Sequence, residues 1–270
     1  MAKITLRQWR VDWREYTDDP DDRDRERERT FLEGHANLGA RIHIETADVL
    51  AAALVDELAP GKRHRLFLKL FAEFVNALES LGAFGWALRR RREHRLFLDG
   101  FLSYPHDAPA TFYRSALEDE ATLVSVLGLP PRQTVIQTVR GHIQGGGNAR
   151  EAGAWLDEGM NILRQLAAQY FEHNSVLLTH YNKAKHGVTM VRLDEHTNDE
   201  LDFQVLAPQR ELDAIGHGYW YDVGLFRASR EMVDRTHGNV SVVTGMLQQL
   251  SIIAWVLYSA ELFYVDPAEV

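Results

Sequence analysis

A polar stripe on a predicted helix in the second half of the chain carries the residues most able to do chemistry. Its members recur at spacings of three and four, which places them on one side of an α-helix. They are Glu172, Ser175, Thr179, Asn182 and His186. Asn182 and His186 lie one turn apart, so an amide and an imidazole can address the same small group. Lys183 and Lys185 flank them with positive charge, and Tyr181 supplies a hydroxyl on the core side.

The chemistry of this stripe fits proton transfer beside a phosphate. An imidazole titrates near neutral pH and can act as a general acid or base. An amide can orient a phosphate or a ribose hydroxyl, and lysines offset phosphate charge. The combination suits metal-independent cleavage of RNA. The alternative is an exposed outer face of a surface helix, whose cations complement the helix dipole and for which Gly187 is the C-cap.

The segment 181–187, Tyr-Asn-Lys-Ala-Lys-His-Gly, resembles a motif of HEPN-type helical domains. That motif reads Arg-polar-x-x-x-His, often followed by Gly; Asn182 matches the polar position and His186 the histidine, whereas the arginine falls on Tyr181. HEPN domains are helical bundles, frequently dimeric, and many are metal-independent ribonucleases of toxin–antitoxin and antiphage systems. The resemblance implies an RNA-directed homodimer, either an endoribonuclease or a catalytically lapsed relative.

The resemblance also implies roles for individual side chains. His186 is then the acid or base, and Asn182 is the group that orients the substrate. Lys183 and Lys185 contact phosphate beside Tyr181, because a neutral phenol stands where the family has a permanent cation.

Glu79 is a further candidate, on an earlier amphipathic helix. Its helical neighbours are Val75, Asn76, Gly82 and Ala83, so it borders the apolar face, where a carboxylate needs a partner or a shifted pKa. The segment 79–83 looks like the early acidic helix of some HEPN domains, which implies that Glu79 faces the catalytic histidine. The alternative is a rim residue whose carboxylate reaches water.

The strongest basic cluster is a run of four arginines, Arg89, Arg90, Arg91 and Arg92. These side chains can meet the phosphates of a nucleic acid. The alternative is a helix C-terminus whose cations complement the dipole and are solvated.

Composition limits the classes of function. The net charge of −9 argues against a protein that coats nucleic acid through bulk electrostatics, while leaving room for a local basic patch. The chain has no Cys, which excludes disulfides, Cys nucleophiles and thiolate zinc sites within it. It has no His-Glu-x-x-His motif, so we expect no metal site and no cofactor, although His173 or His180 in a site built from separate helices stays open.

We expect a cytoplasmic protein with no membrane association. The first 13 residues contain no apolar run long enough for a signal peptide, and the lack of Cys fits a reducing compartment. Residues 239–260 are uncharged and long enough to cross a bilayer, but a polar stripe runs down one side. That pattern is typical of a central helix in a helical domain. The predicted core positions are Leu247, Leu250, Ile253 and Leu257.

The first half of the chain reads as helices separated by breaks. Residues 18–29 are nearly all charged and predict a solvated link or an exposed first turn. Thr30 and Glu33 then form a capping-box pattern that opens a helical region to about residue 59. Part of that region, 41–45, is helical or extended. Pro60 and Gly61 end it, and apolar spacing predicts a helix over 62–92.

Further along, residues 103–113 predict a loop, and Ser115 with Glu118 predicts a capping box that opens a helix ending near 128–131. Residues 133–143 are helix or strand. Asn148 with Glu151 predicts an N-cap.

The last third predicts a β-hairpin near 188–206 and a helical region over roughly 223–264, interrupted at 237–239. The fold class is therefore all-α: one domain, 1–270, built as a bundle of long helices with a small β-hairpin accessory. Such a bundle also fits a rival function, a non-enzymatic scaffold that dimerises or binds a protein partner through its apolar helices.

Overall fold

A computed structural model describes residues 20–39, 41–56, 60–142, 148–172, 190–197, 200–208, 220–227 and 230–266. The α-helices are α1 Pro20–Gly34, α2 Arg41–Asp56, α3 Pro60–Arg89, α4 Phe97–Leu102, α5 Ala108–Ala116, α6 Leu123–Val126, α7 Arg132–Val139, α8 Ala149–Glu172 and α9 Arg230–Ser259. A π-helix, His35–Gly39, joins α1 to α2, and short 3-10 turns occupy Arg91–Glu93 and Arg140–His142. The predicted all-α class is confirmed.

Helix α3 lies at the centre and packs against α2, α5 and α9. Its predicted apolar stripe is helical, and every residue over 81–88 is buried, so this part of the helix is covered all round. Two glycines allow α5 to come close. A Cβ at Gly82 would lie 2.6 Å from Cβ of Pro109, and one at Gly85 would lie 2.2 Å from Cζ of Phe112.

Helix α9 is the second central element, and its four predicted core residues are at most 1% exposed: Leu247, Leu250, Ile253 and Leu257. The predicted interruption at 237–239 is wrong, because the helix runs unbroken from Arg230 to Ser259. A single Gly costs a helix only about 1 kcal/mol, and packing of the apolar face outweighs that cost. The predicted helical start near 223 is also wrong, since Trp220–Arg227 is a strand.

Within the described residues one helical stretch, Val233–Ser259, is long and apolar enough to cross a membrane. Of the most apolar 18-residue segment of this stretch, 67% is buried inside the protein. The predicted polar stripe does not form one surface, because Ser241 is exposed whereas Thr244 and Ser251 are buried.

The N-terminal predictions need correction. Residues 18–29 are not simply a solvated segment, since α1 begins at Pro20 and Glu28 is fully buried. Thr30 does not cap a helix; it lies inside α1, and its hydroxyl donates to the carbonyl of Glu26 at 2.8 Å. The alternation of Arg with acidic residues gave no indication of α1, which tertiary contacts stabilise.

Local capping interactions set the helix boundaries in the middle of the chain. The loop predicted over 103–113 is partly wrong, because α5 starts at Ala108 with Pro109 in its first turn. The capping box at Ser115 is also wrong; Ser115 donates to the carbonyl of Phe112 inside α5, and Thr122 caps α6 instead. The N-cap at Asn148 is confirmed: Oδ1 of Asn148 accepts from the amide of Glu151 at 3.0 Å.

Within the described residues, three strands form an antiparallel sheet in the order β1, β2, β3. Their bounds are β1 Met190–Thr197, β2 Glu200–Pro208 and β3 Trp220–Arg227. Met190 pairs with Val205, and Phe203 pairs with Phe226.

Candidate functional site

The segment carrying the HEPN-like motif lies outside the described residues. Helix α8 is described as far as Glu172, and the next residue that the structure describes is Met190. The roles of five residues therefore stay predictions: Tyr181, Asn182, Lys183, Lys185 and His186. The predicted helix end at Gly187 stays a prediction as well.

Glu79 lies on α3, half-buried, near Tyr113 of α5 and Tyr170 of α8. Burial raises the pKa of Tyr170 on α8, and the charge of Glu79 raises it further. The pKa of Tyr113 on α5 is raised by burial first and then by Tyr170 and Glu79. The two tyrosine rings stack with centroids 4.6 Å apart. Glu79 is therefore close to the helix that precedes residues 181–187 in the chain.

The basic run does not form one surface, because Arg91 is fully buried. Its guanidinium donates to the carbonyls of Leu88 at 2.8 Å, Gly128 at 2.9 Å and Leu127 at 3.2 Å, and also to that of Phe263. Burial first, and then Arg92, lowers its pKa to about 10, so it stays charged at neutral pH. Arg91 fastens three segments together, and its prediction as a phosphate contact is wrong.

The other three arginines, Arg89, Arg90 and Arg92, line an open cleft with Arg114 of α5. The cleft has a volume of about 550 Å³, within the usual range for ligand sites. All four side chains are exposed at its edge. We call this feature the arginine cleft.

Two arginines of the cleft are held in place by neighbours. Arg90 lies over the ring of Trp86, with Cζ 5.2 Å from the ring centroid, and its Nη1 is 3.3 Å from Oε2 of Glu93. Arg92 pairs with Asp266 at 2.7 Å. Exposed ion pairs of this kind are worth little, so an incoming anion can replace the carboxylates as partner.

The charge of the cleft is mixed but positive. Four guanidiniums face the carboxylates of Glu93 and Glu118. A smaller hollow of about 240 Å³ adjoins it, where three acidic residues, Glu118, Asp119 and Glu120, outnumber Arg89. The arginine end therefore suits an anion and the far end does not.

Sequence reasoning missed a second polar constellation, between α2 and α3. Nδ1 of His43 lies 2.6 Å from Oε1 of Glu73, and Nε2 lies 3.1 Å from Oγ of Ser80. We call Glu73, His43 and Ser80 the His43 array. A signal existed, because Glu73 and Ser80 are seven residues apart and share one face of α3. Only the position of His43 required the tertiary structure.

His35, in the π-helix, lies beside this array. Its ring stacks on Phe84 with centroids 4.8 Å apart, and Nδ1 lies 2.7 Å from Oγ of Ser251. The Ser251 hydroxyl donates to the carbonyl of Leu247, so Nδ1 of His35 is the donor to Ser251. Burial first, and then His43, lowers the pKa of His35 to about 4. The ring is therefore neutral at pH 7.

Among the residues that the structure describes, no group of three or more His, Asp or Glu side chains is arranged to hold a metal ion. His173 and His180 lie outside that part of the chain. Comparison of the chain with protein-family models, with curated proteins and with solved structures finds no match.

Proposed function

We propose that this protein is a HEPN-like, RNA-directed helical protein that holds RNA phosphates in the arginine cleft. The observation that carries the proposal is the convergence of Arg89, Arg90, Arg92 and Arg114 on one open cleft. Guanidinium groups present paired donors that match phosphate oxygens, which makes arginine the preferred residue for such contacts. The net charge of −9 confines the attraction to this local patch.

The cleft also offers a surface for stacking. Cζ of Arg90 lies 5.2 Å from the centroid of the Trp86 ring, so the guanidinium packs on that ring at the cleft. Unpaired RNA bases stack on aromatic rings and on guanidinium planes. Single-stranded RNA is therefore the substrate class that this surface fits best.

The proposed catalytic roles follow the resemblance at 181–187. His186 is the acid or base, Asn182 orients the substrate, Lys183 and Lys185 contact phosphate beside Tyr181, and Glu79 is the facing acid. The closeness of Glu79 to Tyr170 on α8 supports the last role, because Tyr170 precedes His186 by 16 residues in the chain. The reaction is metal-independent cleavage, as in a toxin or antiphage ribonuclease, and a catalytically lapsed relative would keep the binding alone.

Titration of fluorescent single-stranded RNA with the protein at several salt concentrations tests the proposal. The double variant Arg90→Ala/Arg92→Ala should bind more weakly, and its salt slope should fall by about 1.4, since each lost contact to single-stranded RNA removes about 0.7. Arg150→Ala is the matched control. Arg150 is exposed in the first turn of α8. It lies about 21 Å along that helix from Arg164, and Arg164 is the residue of α8 whose guanidinium donates to the carbonyl of Ala121.

Unchanged affinity and slope in the double variant would contradict the proposal, as would an equal loss in Arg150→Ala. Wild-type protein that binds no RNA at low salt would favour the rival function, a non-enzymatic scaffold.

The rival, a scaffold that dimerises or binds a protein partner, is favoured by one observation. Large apolar side chains on and next to α2 are exposed: Leu38 68%, Ile42 63%, Val49 69% and Val55 68%. Large exposed apolar side chains on one element are a common feature of interaction sites. Light scattering over a range of concentrations, with Ile42→Lys beside wild type, tests for a homodimer through this surface. A monomer at every concentration contradicts it.

The remaining parts of the proposal concern domain organisation and localisation. We propose a single domain over 1–270, in the cytoplasm and without membrane association, with the segment near 188–206 as a β-hairpin accessory to the helices. Limited proteolysis tests the first and last points, because an accessory should be cut away while the helical core stays intact.

A further inference from the structure

The His43 array has the geometry of an acid–base–nucleophile relay. The carboxylate of Glu73 meets Nδ1 of His43 at 2.6 Å, and the opposite ring nitrogen meets the hydroxyl of Ser80 at 3.1 Å. Both distances lie in the range at which such groups exchange protons. The array lies on the α2 side of α3, whereas Glu79 lies near Tyr113 of α5 and Tyr170 of α8, so the array is separate from the surfaces proposed to meet RNA.

The helices bring these three residues together for a simple reason. His43 and Glu73 are equally far from the short connection between α2 and α3, at about 20 Å along each helix. The two helices pack against each other, so the two residues come level. Ser80 lies two turns beyond Glu73 on the same face, about 10 Å further along, and the imidazole fits between them.

The carboxylate decides the tautomer of the ring. An ionised carboxylate only accepts hydrogen bonds, so Nδ1 of His43 carries the proton and donates to Glu73. Nε2 is then an acceptor, and the hydroxyl of Ser80 donates to it. This is the arrangement in which an imidazole can remove the hydroxyl proton from a serine.

The surroundings of the array are partly dry but reachable. The side chains of His43 and Glu73 are 13% and 17% exposed, and Ser80 is half-buried. The ring of His35, stacked on Phe84, is close enough to His43 for the two imidazoles to interact electrostatically. Partial exclusion of water strengthens both hydrogen bonds of the array.

We propose that Ser80 is a nucleophile for acyl transfer and that the array hydrolyses small carboxylic esters. Ser80 is the catalytic nucleophile, His43 the general base and acid, and Glu73 the positioning residue. This activity is independent of the proposed RNA-directed function.

The chemistry balances without a cofactor. Oγ of Ser80 attacks the carbonyl carbon while its proton moves to Nε2 of His43, and the carbonyl electron pair moves to the oxygen. Return of that pair expels the alcohol oxygen, which takes the proton from Nε2. Water then attacks the acyl-serine, His43 accepts a water proton, and the bond to Oγ breaks as Oγ is reprotonated. Ester and water become acid and alcohol.

The first test is covalent labelling of the full chain. A fluorophosphonate should form a phosphonyl ester on Ser80 with loss of fluoride, and mass spectrometry of the peptides should locate the adduct. Labelling should be lost in Ser80→Ala and kept in Ser241→Ala, an exposed serine on α9. No adduct on wild-type protein, or an adduct at another residue, overturns the proposal, and neither result depends on a variant folding.

The second test is hydrolysis of p-nitrophenyl acetate. Ser80→Ala should lower kcat/KM by about 10²- to 10⁴-fold, with circular dichroism and unfolding midpoint as checks on the fold. Glu73→Gln should lower kcat more than it raises KM and should shift the pH profile, because the ring loses its fixed tautomer. Residual hydrolysis equal in wild type and Ser80→Ala would show that surface imidazoles are responsible and would overturn the proposal.

Discussion

The hydroxyl of Tyr264 donates a hydrogen bond to Oε2 of Glu28 at 2.7 Å, across 236 positions of the chain. Glu28 is fully buried on α1, and its other oxygen accepts from the amide of Leu98 at 3.4 Å. The amide of Phe97 donates to the same tyrosine oxygen at 2.9 Å. One carboxylate thus links the first helix, the start of α4 and the segment after α9.

Substituting Glu28 should change how stability depends on pH. Burial raises the pKa of Glu28 above 4.5 in spite of the hydrogen bond from Tyr264. A raised pKa means that the folded state prefers the protonated acid, so this contribution is complete below pH 4.5 and is lost as the pH rises through the folded value. Glu28→Gln cannot titrate. Its urea midpoint should therefore improve relative to wild type between pH 4.5 and 8; a constant difference would refute this.

His35 should make the fold sensitive to acid. Its pKa of about 4 lies below the ordinary value of 6.5, so stability is present above pH 6.5 and is lost as the pH falls towards 4. The loss has an upper limit of about 3 kcal/mol, from the size of the shift. In His35→Phe, which extends the aromatic cluster around Phe84, the change in unfolding free energy between pH 7 and pH 5 should be smaller. Equal losses would rule out His35 as the cause.

Truncating Leu250 should destabilise the fold strongly. The side chain is fully buried on α9, and its removal leaves a cavity, so Leu250→Ala should cost about 2–5 kcal/mol in chemical denaturation. Val242, 46% exposed on the same helix, is the control, and Val242→Ala should change stability by less than about 1 kcal/mol. Unchanged unfolding midpoints for Leu250→Ala would contradict its place in the core.

Substitutions of the neighbouring residues Arg90 and Arg91 should have opposite effects on stability and on RNA binding. Arg91→Ala removes the donor for four backbone carbonyls and should cost about 3 kcal/mol or more. Arg90→Ala, next in the chain but exposed, should cost less than about 1 kcal/mol and should weaken RNA binding instead. Thermal unfolding and RNA titration of both variants separate the two effects. Similar stabilities would mean that the contacts of Arg91 contribute little.

The HEPN-like hypothesis predicts cleavage of single-stranded RNA with EDTA present. His186→Ala should abolish it with the fold intact, because loss of proton transfer lowers the rate by about 10²–10⁴-fold. Asn182→Ala should lower the rate less, since the amide orients rather than transfers a proton. Tyr181→Arg should raise it by restoring a permanent cation. Wild-type protein inactive on RNAs and transfer RNAs, with and without EDTA, would refute the enzymatic hypothesis.

Features that depend on neighbouring residues were predictable from the sequence. The N-cap formed by Asn148 and Glu151 is confirmed because its partners are three residues apart. The buried face of α9, with Leu250 and Ile253, is confirmed because helical periodicity shows which side chains share a face. Both results rest on geometry within a few turns of chain.

Local patterns misled at three places, and only at Glu28 is the actual partner distant in the chain. Thr30 and Ser115 looked like N-caps, but both hydroxyls bond to carbonyls inside helices. The charged segment that contains Glu28 looked solvated, yet Tyr264 gives its carboxylate a buried partner. Capping patterns are worth only about 1 kcal/mol, which tertiary contacts readily exceed.

Fold class, the core face of α9 and the run of arginines were all readable from residue types and spacing. The tertiary structure alone decided that Arg91 turns inward while Arg90 lines a cleft, and that His43 meets Glu73 and Ser80. The reason is physical. Periodicity specifies which residues share a helix face, but the partner of that face is chosen by packing between segments far apart in the chain, which no local pattern encodes.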